Sequence, residues 1–311
     1  MKILRRNNNK TKVFFCPAKI DDAVGEIALK LLKALIKENK IVLEKEIPLK
    51  VHPGNTGNIS YIKPENFSAI IEYLQSQKIK TYYVETNQAP NGERSCATNH
   101  LKIAMAHGFT QIPFIIADGE DGFDHVLVKI NGGKHFRDCK IAAKLANKHQ
   151  VIVLSHFKGH MLSGFGGAIK MLALGFASGR GKVELHSKTN LADGEAINWT
   201  KIWSVYVGKA FRERSAEYAL AASQNKNFIY LNFALNLVKN CDCDGRAMQP
   251  IYTDLGIFAS TDPVAIDKAC FDLLAKREKK RPFGGEDIFG YAQKIGLGKT
   301  NYQLIKISKV S

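Results

Sequence analysis

One stretch of the chain, residues 151–186, constrains the fold more than any other. It opens with Val151–Leu154, a β-branched and aliphatic run that is typical of a short buried strand. A glycine-rich turn follows, and the apolar run Ala168–Ala177 then predicts a buried helix. Strand, tight turn and buried helix in this order favour an α/β protein. After two more glycines we predict a second short strand, Val183–Leu185, which leads to His186.

Lys170 is the one residue between Gly164 and Ala177 that is neither apolar nor glycine. On a helix its neighbours one turn away would be glycine, alanine and leucine, so it has no polar face to join. Such a lysine either extends its ammonium group to solvent or lies in a dry pocket, where its pKa falls and the amine becomes nucleophilic. The sequence leaves both alternatives open.

Segments of strand and helix character alternate along nearly the whole chain. Strand character is found at 12–16, 46–51, 81–84, 112–117, 126–130, 228–235, 255–259 and 302–307, and helical periodicity at 20–38, 64–74, 95–107, 138–148, 211–223 and 263–274. Asp262 followed by Pro263 is typical of a helix start. The alternation predicts an α/β fold with one or more mostly parallel sheets and flanking helices. We expect two α/β lobes with a cleft between them, residues 1–186 with the histidine and lysine motif, and residues 187–311.

The chain has 311 residues and a formal net charge of +16. This charge suits an anionic ligand, and a basic nucleic-acid-binding module is the less favoured alternative because no nucleic-acid-binding motif is present. No apolar run is long enough to span a bilayer, and the basic N-terminal residues lack the apolar segment of a signal peptide. We therefore expect a cytoplasmic protein without a membrane partner. The sequence does not decide its oligomeric state.

Polar residues after predicted strands mark a candidate site. His52, Asn87 and Arg94 lie in loops at the ends of strands, where open α/β folds place ligands, and we predict that they bind substrate. His156 and His160 are candidate catalytic residues, because histidine titrates near neutral pH. The alternative is that both are hydrogen-bonded loop histidines. The turn after them is rich in glycine, at Gly164, Gly166 and Gly167, and would suit an anion at a helix N-terminus, although its spacing matches no phosphate-binding motif.

Cys241 and Cys243 are close together, whereas the other four cysteines are spread along the chain. In a cytoplasmic protein we expect reduced thiols or ligands. The two are candidate metal ligands, but two cysteines do not complete a tetrahedral site, so Cys270, Asp254 or a histidine would have to join them. The alternative is a polar turn after a buried strand.

Several segments of the chain resemble the family called domain of unknown function 362, whose members are usually described as iron–sulfur cluster-binding proteins. The segments are KVHPGNTGNISYIKP, VETNQAPNGERS, FIIADGEDGFD, the residues 154–187, and CDCDG with DLGIFASTDPVAIDKA, and they extend from about residue 46 to 275. Many members carry a ferredoxin-like insert with two four-cysteine motifs after the position of His186, where this chain has no cysteine. The resemblance therefore implies an iron–sulfur family relative in which we expect no [4Fe–4S] cluster.

The spacing of His160, Lys170 and His186 around GFGGAIK also resembles the nickel-pincer lactate racemase family. In that family the lysine covalently holds a pyridinium thioamide cofactor, the later histidine binds nickel, and the earlier one is a catalytic acid or base. By this resemblance Lys170 would anchor the cofactor beside the three glycines of the turn, His186 would bind metal, and His160 would move a proton. A neutral imidazole suits a borderline-soft ion such as nickel.

The favoured hypothesis is an enzyme that racemises, epimerises or oxidises a small anionic, hydroxy-acid-like substrate. It would use a transition metal, nickel or iron, or an organometallic cofactor, held near Lys170 and His186. The alternative is an iron–sulfur or other metal-binding protein that uses Cys241 and Cys243 in electron transfer or assembly. The sequence names neither the substrate nor the metal.

Overall fold

The structure, a computed structural model, describes residues 10–187 and 208–309. The strands are β1 (Thr11–Pro17), β2 (Glu46–Lys50), β3 (Lys80–Glu85), β4 (Phe114–Ile116), β5 (His125–Lys129), β6 (Asp138–Ala142), β7 (Ile152–His156), β8 (Lys158–His160), β9 (Gly164–Gly166), β10 (Ile229–Ala234), β11 (Gly256–Ser260) and β12 (Tyr302–Lys306). The helices are α1 (Val24–Asn39), α2 (Ser68–Ser76) after the short 3-10 helix Pro64–Phe67, α3 (Ala97–Ala106), α4 (Ala143–Ala146), α5 (Ala168–Phe176), α6 (Gly179–Ser187), α7 (Lys209–Ser223), α8 (Pro263–Glu278) and α9 (Asp287–Lys294). The basic N-terminal residues and most of the cysteine-free segment after His186 lie outside the described ranges.

Eight strands form one large sheet in the order β12–β1–β11–β10–β7–β2–β3–β4. β11 is antiparallel to both of its neighbours, and every other pair in the sheet is parallel. The prediction of an α/β fold with a mostly parallel sheet is confirmed. Because β2, β3, β7 and β10 run in the same direction, the loops that follow them emerge at one edge, where such folds bind ligands.

Apolar residues cover both faces of the sheet, which is why its strands contain few polar positions. Along β10, Ile229, Leu231 and Phe233 point into the core that α1, α2 and α3 cover, whereas Tyr230 and Ala234 join the core on the opposite face of the sheet. This alternation is the two-residue period of a strand. The helices pack on the sheet through apolar stripes at helical spacing, as α1 does with Val24, Ile27, Leu31 and Leu35.

The large sheet contains strands from both predicted lobes. β7, which precedes residue 186, pairs with β10, which follows it, and β1 lies between β11 and β12. The division of the chain into residues 1–186 and 187–311 stays a prediction. No helix in the described ranges is both long and apolar enough to cross a membrane.

Two secondary-structure predictions are wrong. Val183–Leu185 belongs to helix α6, which starts because Ser178 accepts the backbone N–H of Gly181 on its side chain at 3.0 Å and that of Lys182 on its carbonyl at 2.8 Å. The first half of the helix predicted over 138–148 is strand β6, which pairs with β5 in a separate two-stranded sheet. The predicted start of α8 is confirmed, since the Asp262 side chain accepts two backbone N–H groups there at 2.9 Å.

Candidate metal centre and substrate pocket

A pocket of about 540 Å³ is lined by the segments that follow β2, β3, β7 and β10, at the edge of the sheet where these strands end. The residues of the predicted site that line it are His52, Arg94, His156, His160, Gly166, Gly167, Lys170, His186, Cys241 and Cys243. Residues nearly two hundred positions apart in the chain are thus brought together, because parallel strands end at the same edge.

Asn87 and Gly164 do not line this pocket. Asn87 is fully buried, and its side-chain amide donates to the carbonyl oxygens of Gly119, at 2.9 Å, and Glu120, at 3.3 Å. Gly164 has a φ of +86°, and a Cβ atom there would lie 2.2 Å from the backbone of Gly284. The contacts of both residues hold loops in place, and their predicted roles in binding stay predictions.

Two sulfur atoms and an imidazole meet inside the pocket. The Sγ atoms of Cys241 and Cys243 and one ring nitrogen of His160 lie within 4.8 Å of one another. The Nζ atom of Lys170 lies 3.1 Å from the Sγ atom of Cys241, and the backbone N–H of Cys243 points at the same sulfur from 3.4 Å. Cys241 is therefore surrounded by groups that stabilise a negative charge on sulfur.

The pKa values of this cluster follow from those contacts. A hydrogen bond from Cys243 and the ammonium group of Lys170 outweigh burial and hold the pKa of Cys241 well below its ordinary value. The Cys241 thiolate in turn raises the pKa of Cys243. Burial alone would lower the pKa of Lys170, but the nearby Cys241 and Cys243 raise it above its ordinary value. The nearby cysteines, which the sequence does not show as partners of Lys170, therefore decide the direction of this pKa shift.

The position of Lys170 depends on the buried carboxylate of Asp267, which holds the start of helix α5. Asp267 accepts the backbone N–H groups of Ala168 at 2.7 Å and Ile169 at 2.9 Å, and the side-chain amide of Asn232 at 2.6 Å. Burial raises the pKa of Asp267 to about 6, against these hydrogen bonds. Asp267, for which the sequence suggests no role, is thus an N-terminal cap supplied by another helix.

Asp242 is the buried acidic centre beneath the pocket. It forms an ion pair with Lys158, contacts the Nδ1 atom of His156 at 3.0 Å, and accepts the hydroxyl of Ser60 at 2.9 Å. Burial opposes its ionisation, but Lys158 and His156 hold the pKa of Asp242 well below its ordinary value. His156 also contacts the carbonyl oxygen of Leu235 at 2.8 Å through Nε2. Both ring nitrogens of His156 are engaged, so its contacts favour a supporting role, and the catalytic role stays a prediction.

The other pocket histidines are kept neutral by their surroundings. Burial and the Arg94 guanidinium lower the pKa of His52 to about 4. Burial lowers the pKa of His186 to about 4 as well, and burial and Lys170 lower that of His160. Neutral imidazoles are able to accept hydrogen bonds or to bind a metal ion.

Arg94 brings a buried positive charge to the pocket. Only 3% of its surface is exposed. Its partners in the described part of the chain are the amide oxygen of Asn55, at 2.8 Å from Nε, and the rings of His100 and His52, at 3.0 and 3.5 Å. None of these partners is a carboxylate, so the guanidinium keeps a charge that an anion in the pocket would balance.

Sequence reasoning missed an ionic group beside Arg94. Glu85, at the end of β3, pairs with the buried Lys50 at 3.1 Å, and it also lines the pocket. Lys182, on α6, donates to the backbone and hydroxyl oxygens of Thr86 at 3.0 and 2.7 Å and to the carbonyl of Asn87. Burial lowers its pKa to about 8, although Glu85 and Asp118 oppose this. The position of Glu85 at a strand end was the available signal.

Cys270 and Asp254, considered as partners of the cysteine pair, have other contacts. Cys270 is fully buried and accepts the Asn232 amide at 3.7 Å, and Asp254 accepts the backbone N–H groups of Ile20 and Asn236 at 2.7 and 2.6 Å. Neither residue lines the pocket.

The donor set of the pocket fits a thiophilic transition metal, because thiolates and imidazoles select such ions over magnesium or calcium. It gives less support to a lysine-linked organic cofactor. The Lys170 ammonium is paired with the Cys241 sulfur and its raised pKa keeps it protonated, whereas an amide link requires the free amine. The anchoring role of Lys170 stays a prediction.

Fold and site together define an α/β protein with a candidate metal-binding cluster of sulfur and imidazole groups in a pocket at the carboxyl edge of a mostly parallel sheet. The chain belongs to the family described as domain of unknown function (DUF362), whose family model matches residues 47–272. The resemblance of the sequence to this family is confirmed. No curated protein matches the chain.

Several solved structures are similar to this chain. A protein from Thermotoga maritima, known from its crystal structure, has a TM-score of 0.50 and 12% identity, over 84% of this chain and 60% of that one. The lactate racemase apoprotein from Thermoanaerobacterium thermosaccharolyticum has a TM-score of 0.44 and 14% identity, over 84% of this chain and 56% of that one. The chain thus spans less than two thirds of the length of either protein, and at such identities the likeness concerns the fold.

Proposed function

We propose that this protein is an enzyme that binds a thiophilic transition metal through Cys241 and Cys243 and acts on a small anionic substrate in the adjoining pocket. The observation that carries the proposal is the convergence of the Cys241 and Cys243 sulfurs, within 4.8 Å of each other, on the wall of a histidine-lined pocket large enough for a small molecule. Nickel and iron are both compatible with sulfur and imidazole ligands. Bound there, such a metal would polarise a substrate oxygen or exchange electrons with the substrate.

The pocket residues supply the other parts of such a site. The buried Arg94 guanidinium, which has no carboxylate partner among the described residues, would bind the substrate carboxylate. His52 lies between Arg94 and Cys241, in contact with the first at 3.5 Å and hydrogen-bonded to the second. A short hydroxy acid would therefore place its carboxylate at Arg94 and its hydroxyl group near the sulfurs. Racemisation, epimerisation or oxidation at the hydroxyl-bearing carbon is the reaction class that we propose.

Three protein ligands or fewer would leave an open metal position for the substrate, as catalytic sites require. His186 is the further ligand that we propose, because its Nδ1 atom contacts the carbonyl oxygen of Lys182 at 2.6 Å. A proton on Nδ1 leaves the lone pair on Nε2, which is the common state of a metal-binding histidine.

Metal content tests the proposal. We expect about one nickel or iron ion per chain after anaerobic purification from the native organism, and loss of that metal in the Cys241→Ser and Cys243→Ser variants. Cys96→Ser is the matched control, because Cys96 is partly exposed and lies outside the pocket. A wild-type protein that takes up no thiophilic metal, or serine variants that retain it fully, would contradict the proposal.

A further inference from the structure

The hydrogen bonds made by a histidine ring fix which of its nitrogens carries the proton. A neutral imidazole has one N–H donor and one acceptor nitrogen, so a nitrogen that accepts a hydrogen bond leaves the proton on the other. A histidine that binds a metal through Nε2 donates from Nδ1–H, usually to a carbonyl or carboxylate oxygen. The contacts of Nδ1 therefore separate metal ligands from other histidines.

His160 has the arrangement opposite to that of a ligand. Its Nδ1 atom accepts the backbone N–H groups of Leu162, at 3.2 Å, and Ser163, at 3.0 Å. Backbone N–H groups are donors only, so Nδ1 carries no proton and the ring holds its proton on Nε2. Binding of a metal ion at Nε2 would require either the loss of that proton or a rotation of the ring that breaks both backbone hydrogen bonds.

His52 has the same arrangement on another wall of the pocket. Its Nδ1 atom accepts the backbone N–H of Gly54 at 3.0 Å, so its proton also lies on Nε2. The guanidinium group of Arg94 lies 3.5 Å from Nε2, and this contact cannot be a hydrogen bond while Nε2 is protonated. The hydrogen bond from Gly54 is the shorter of the two contacts, so it decides which ring nitrogen of His52 carries the proton.

We propose that His160 and His52 are N–H donors to the sulfur of Cys241 and are not metal ligands. The statement about the metal rests on the proposed function. The positions of the protons follow from the backbone hydrogen bonds alone. Both rings hydrogen-bond to the sulfur of Cys241, and because the Nδ1 atom of each ring already accepts backbone N–H groups, the donor to the sulfur is Nε2–H. Together with Lys170 at 3.1 Å, the two rings surround one thiolate with three donor groups.

Such donors would change the properties of the thiolate without binding the metal. N–H groups that point at a ligand sulfur withdraw charge from it, and contacts of this kind tune the redox potential and the affinity of a metal site. The two histidines would also offer protons at the pocket wall on either side of Cys241. His160 thus lies close to the two sulfurs because it donates a hydrogen bond, and it does not have to be a metal ligand.

Nuclear magnetic resonance of the protein with ¹⁵N-labelled histidine tests the assignment directly. In the reduced, metal-free protein we expect long-range ¹H–¹⁵N spectra in which His160 and His52 are protonated at Nε2, with assignments taken from the His160→Gln and His52→Gln variants. After addition of Cd(II) we expect the His160 pattern to persist. A proton on Nδ1 of His160, or direct coupling of its Nε2 to ¹¹³Cd, would overturn the proposal.

The affinity for Cd(II) provides a second readout. Glutamine places an N–H group near the position of the histidine Nε2, so we expect His160→Gln to bind Cd(II) closer to wild type than His160→Ala does, with the alanine variant weaker by about 10- to 100-fold. His149→Ala, at an exposed position, is the control. Equal loss in both His160 variants would identify a ligand and overturn the proposal. Absence of Cd(II) uptake by wild type would instead contradict the proposed function, while the metal-free spectrum would still decide the position of the protons.

Discussion

The ammonium group of Lys170 lies 3.1 Å from the sulfur of Cys241, and together with the hydrogen bond from Cys243 it lowers the pKa of this cysteine. We predict that Lys170→Met raises the pKa of Cys241, because it removes an adjacent positive charge that favours the thiolate. The thiolate fraction at neutral pH would fall accordingly. The rate of iodoacetamide modification of Cys241 as a function of pH, in metal-free protein, measures this change.

Two controls make that measurement specific. Cys241→Ser identifies the reaction of the other cysteines, and Lys144→Met removes an exposed lysine on α4 far from the sulfurs. An unchanged pH profile in Lys170→Met would show that the ammonium group does not stabilise the thiolate.

Asp242 and Asp244 are two residues apart, but we expect substitutions at the two positions to have very different effects on the free energy of unfolding. Asp242→Asn leaves the buried Lys158 without its partner, so we expect it to lower the free energy of unfolding by about 3–5 kcal/mol. Asp244 pairs with Arg246, whose side chain is 74% exposed, so Asp244→Asn should cost less than about 1 kcal/mol. Urea unfolding of the three proteins at neutral pH measures both values.

The acid dependence of the Asp242 effect has a definite sign. Because the folded-state pKa of Asp242 lies below its ordinary value of 3.8, its contribution is fully present above that pH and is lost as the pH falls through the folded-state pKa. The difference between wild type and Asp242→Asn should therefore be constant above about pH 5 and shrink below pH 3.8. A difference that grows on acidification would contradict the assignment of the ion pair.

Side-chain chemistry could be recognised from the sequence where the residue type itself is informative. The histidines, Arg94 and the cysteine pair stood out because few structural roles require them at strand ends. Lys158 and Lys182 could not be recognised, because a lysine becomes notable only when its burial and its partners are known. The pKa of Lys170 likewise depends on a partner that the sequence does not reveal, because Cys241 is 71 residues away.

At the scale of the element, the local sequence pattern predicted most helices and strands. The prediction was wrong where contacts with a distant segment determine the secondary structure. Asp138–Ala142 is followed directly by the helical turn Ala143–Ala146, and only the pairing with β5 makes its first part a strand. The single β-branched residue of GRGKVELHS suggested a strand, whereas the Ser178 cap and burial on all sides produce helix α6. His186 reaches the pocket from this helix.

Because the Asp267 carboxylate packs against Gly167 at the start of helix α5, we predict that Gly167 tolerates no side chain. A Cβ atom on Gly167 would lie 2.3 Å from the Asp267 carboxylate oxygen, which is held by two backbone N–H groups and the Asn232 amide. We therefore expect Gly167→Ala to lower the free energy of unfolding by about 1–3 kcal/mol and to move Lys170. Gly290→Ala is the matched control, since no atom lies within 4 Å of its added Cβ and a helical glycine-to-alanine change should stabilise by about 0.5–1 kcal/mol.

Both variants should be measured by urea unfolding, with metal uptake as the second readout. A Gly167→Ala protein as stable as wild type, with an unchanged Cys241 pKa, would show that the Asp267 cap does not fix the position of Lys170.

At the scale of the whole molecule, the alternation of strands and helices indicated the mostly parallel sheet, but not its strand order. That order places β7 between β10 and β2, and so brings the histidines after β7 between His52 and the cysteines. Pairings of this kind are set by packing over the entire chain, and the pattern within a segment carries little information about them. Most of the residues predicted for the site line the same pocket, whereas the strand order that brings them there could not be predicted, and their roles stay predictions.

The charge of the whole chain complicates any test of anion binding, because a net charge of +16 attracts every anion. Specific binding differs from this background in its dependence on Arg94. We predict that short 2-hydroxy acids stabilise the wild-type protein with the concentration dependence of one site, about 2.7 kcal/mol at 100 times Kd, and that Arg94→Gln loses this response. Thermal unfolding at constant ionic strength, with the corresponding neutral amides as control ligands, measures it. Because Arg94→Gln changes the net charge by one unit only, a non-specific response would survive the substitution almost unchanged, and that result would remove the buried guanidinium as the carboxylate site.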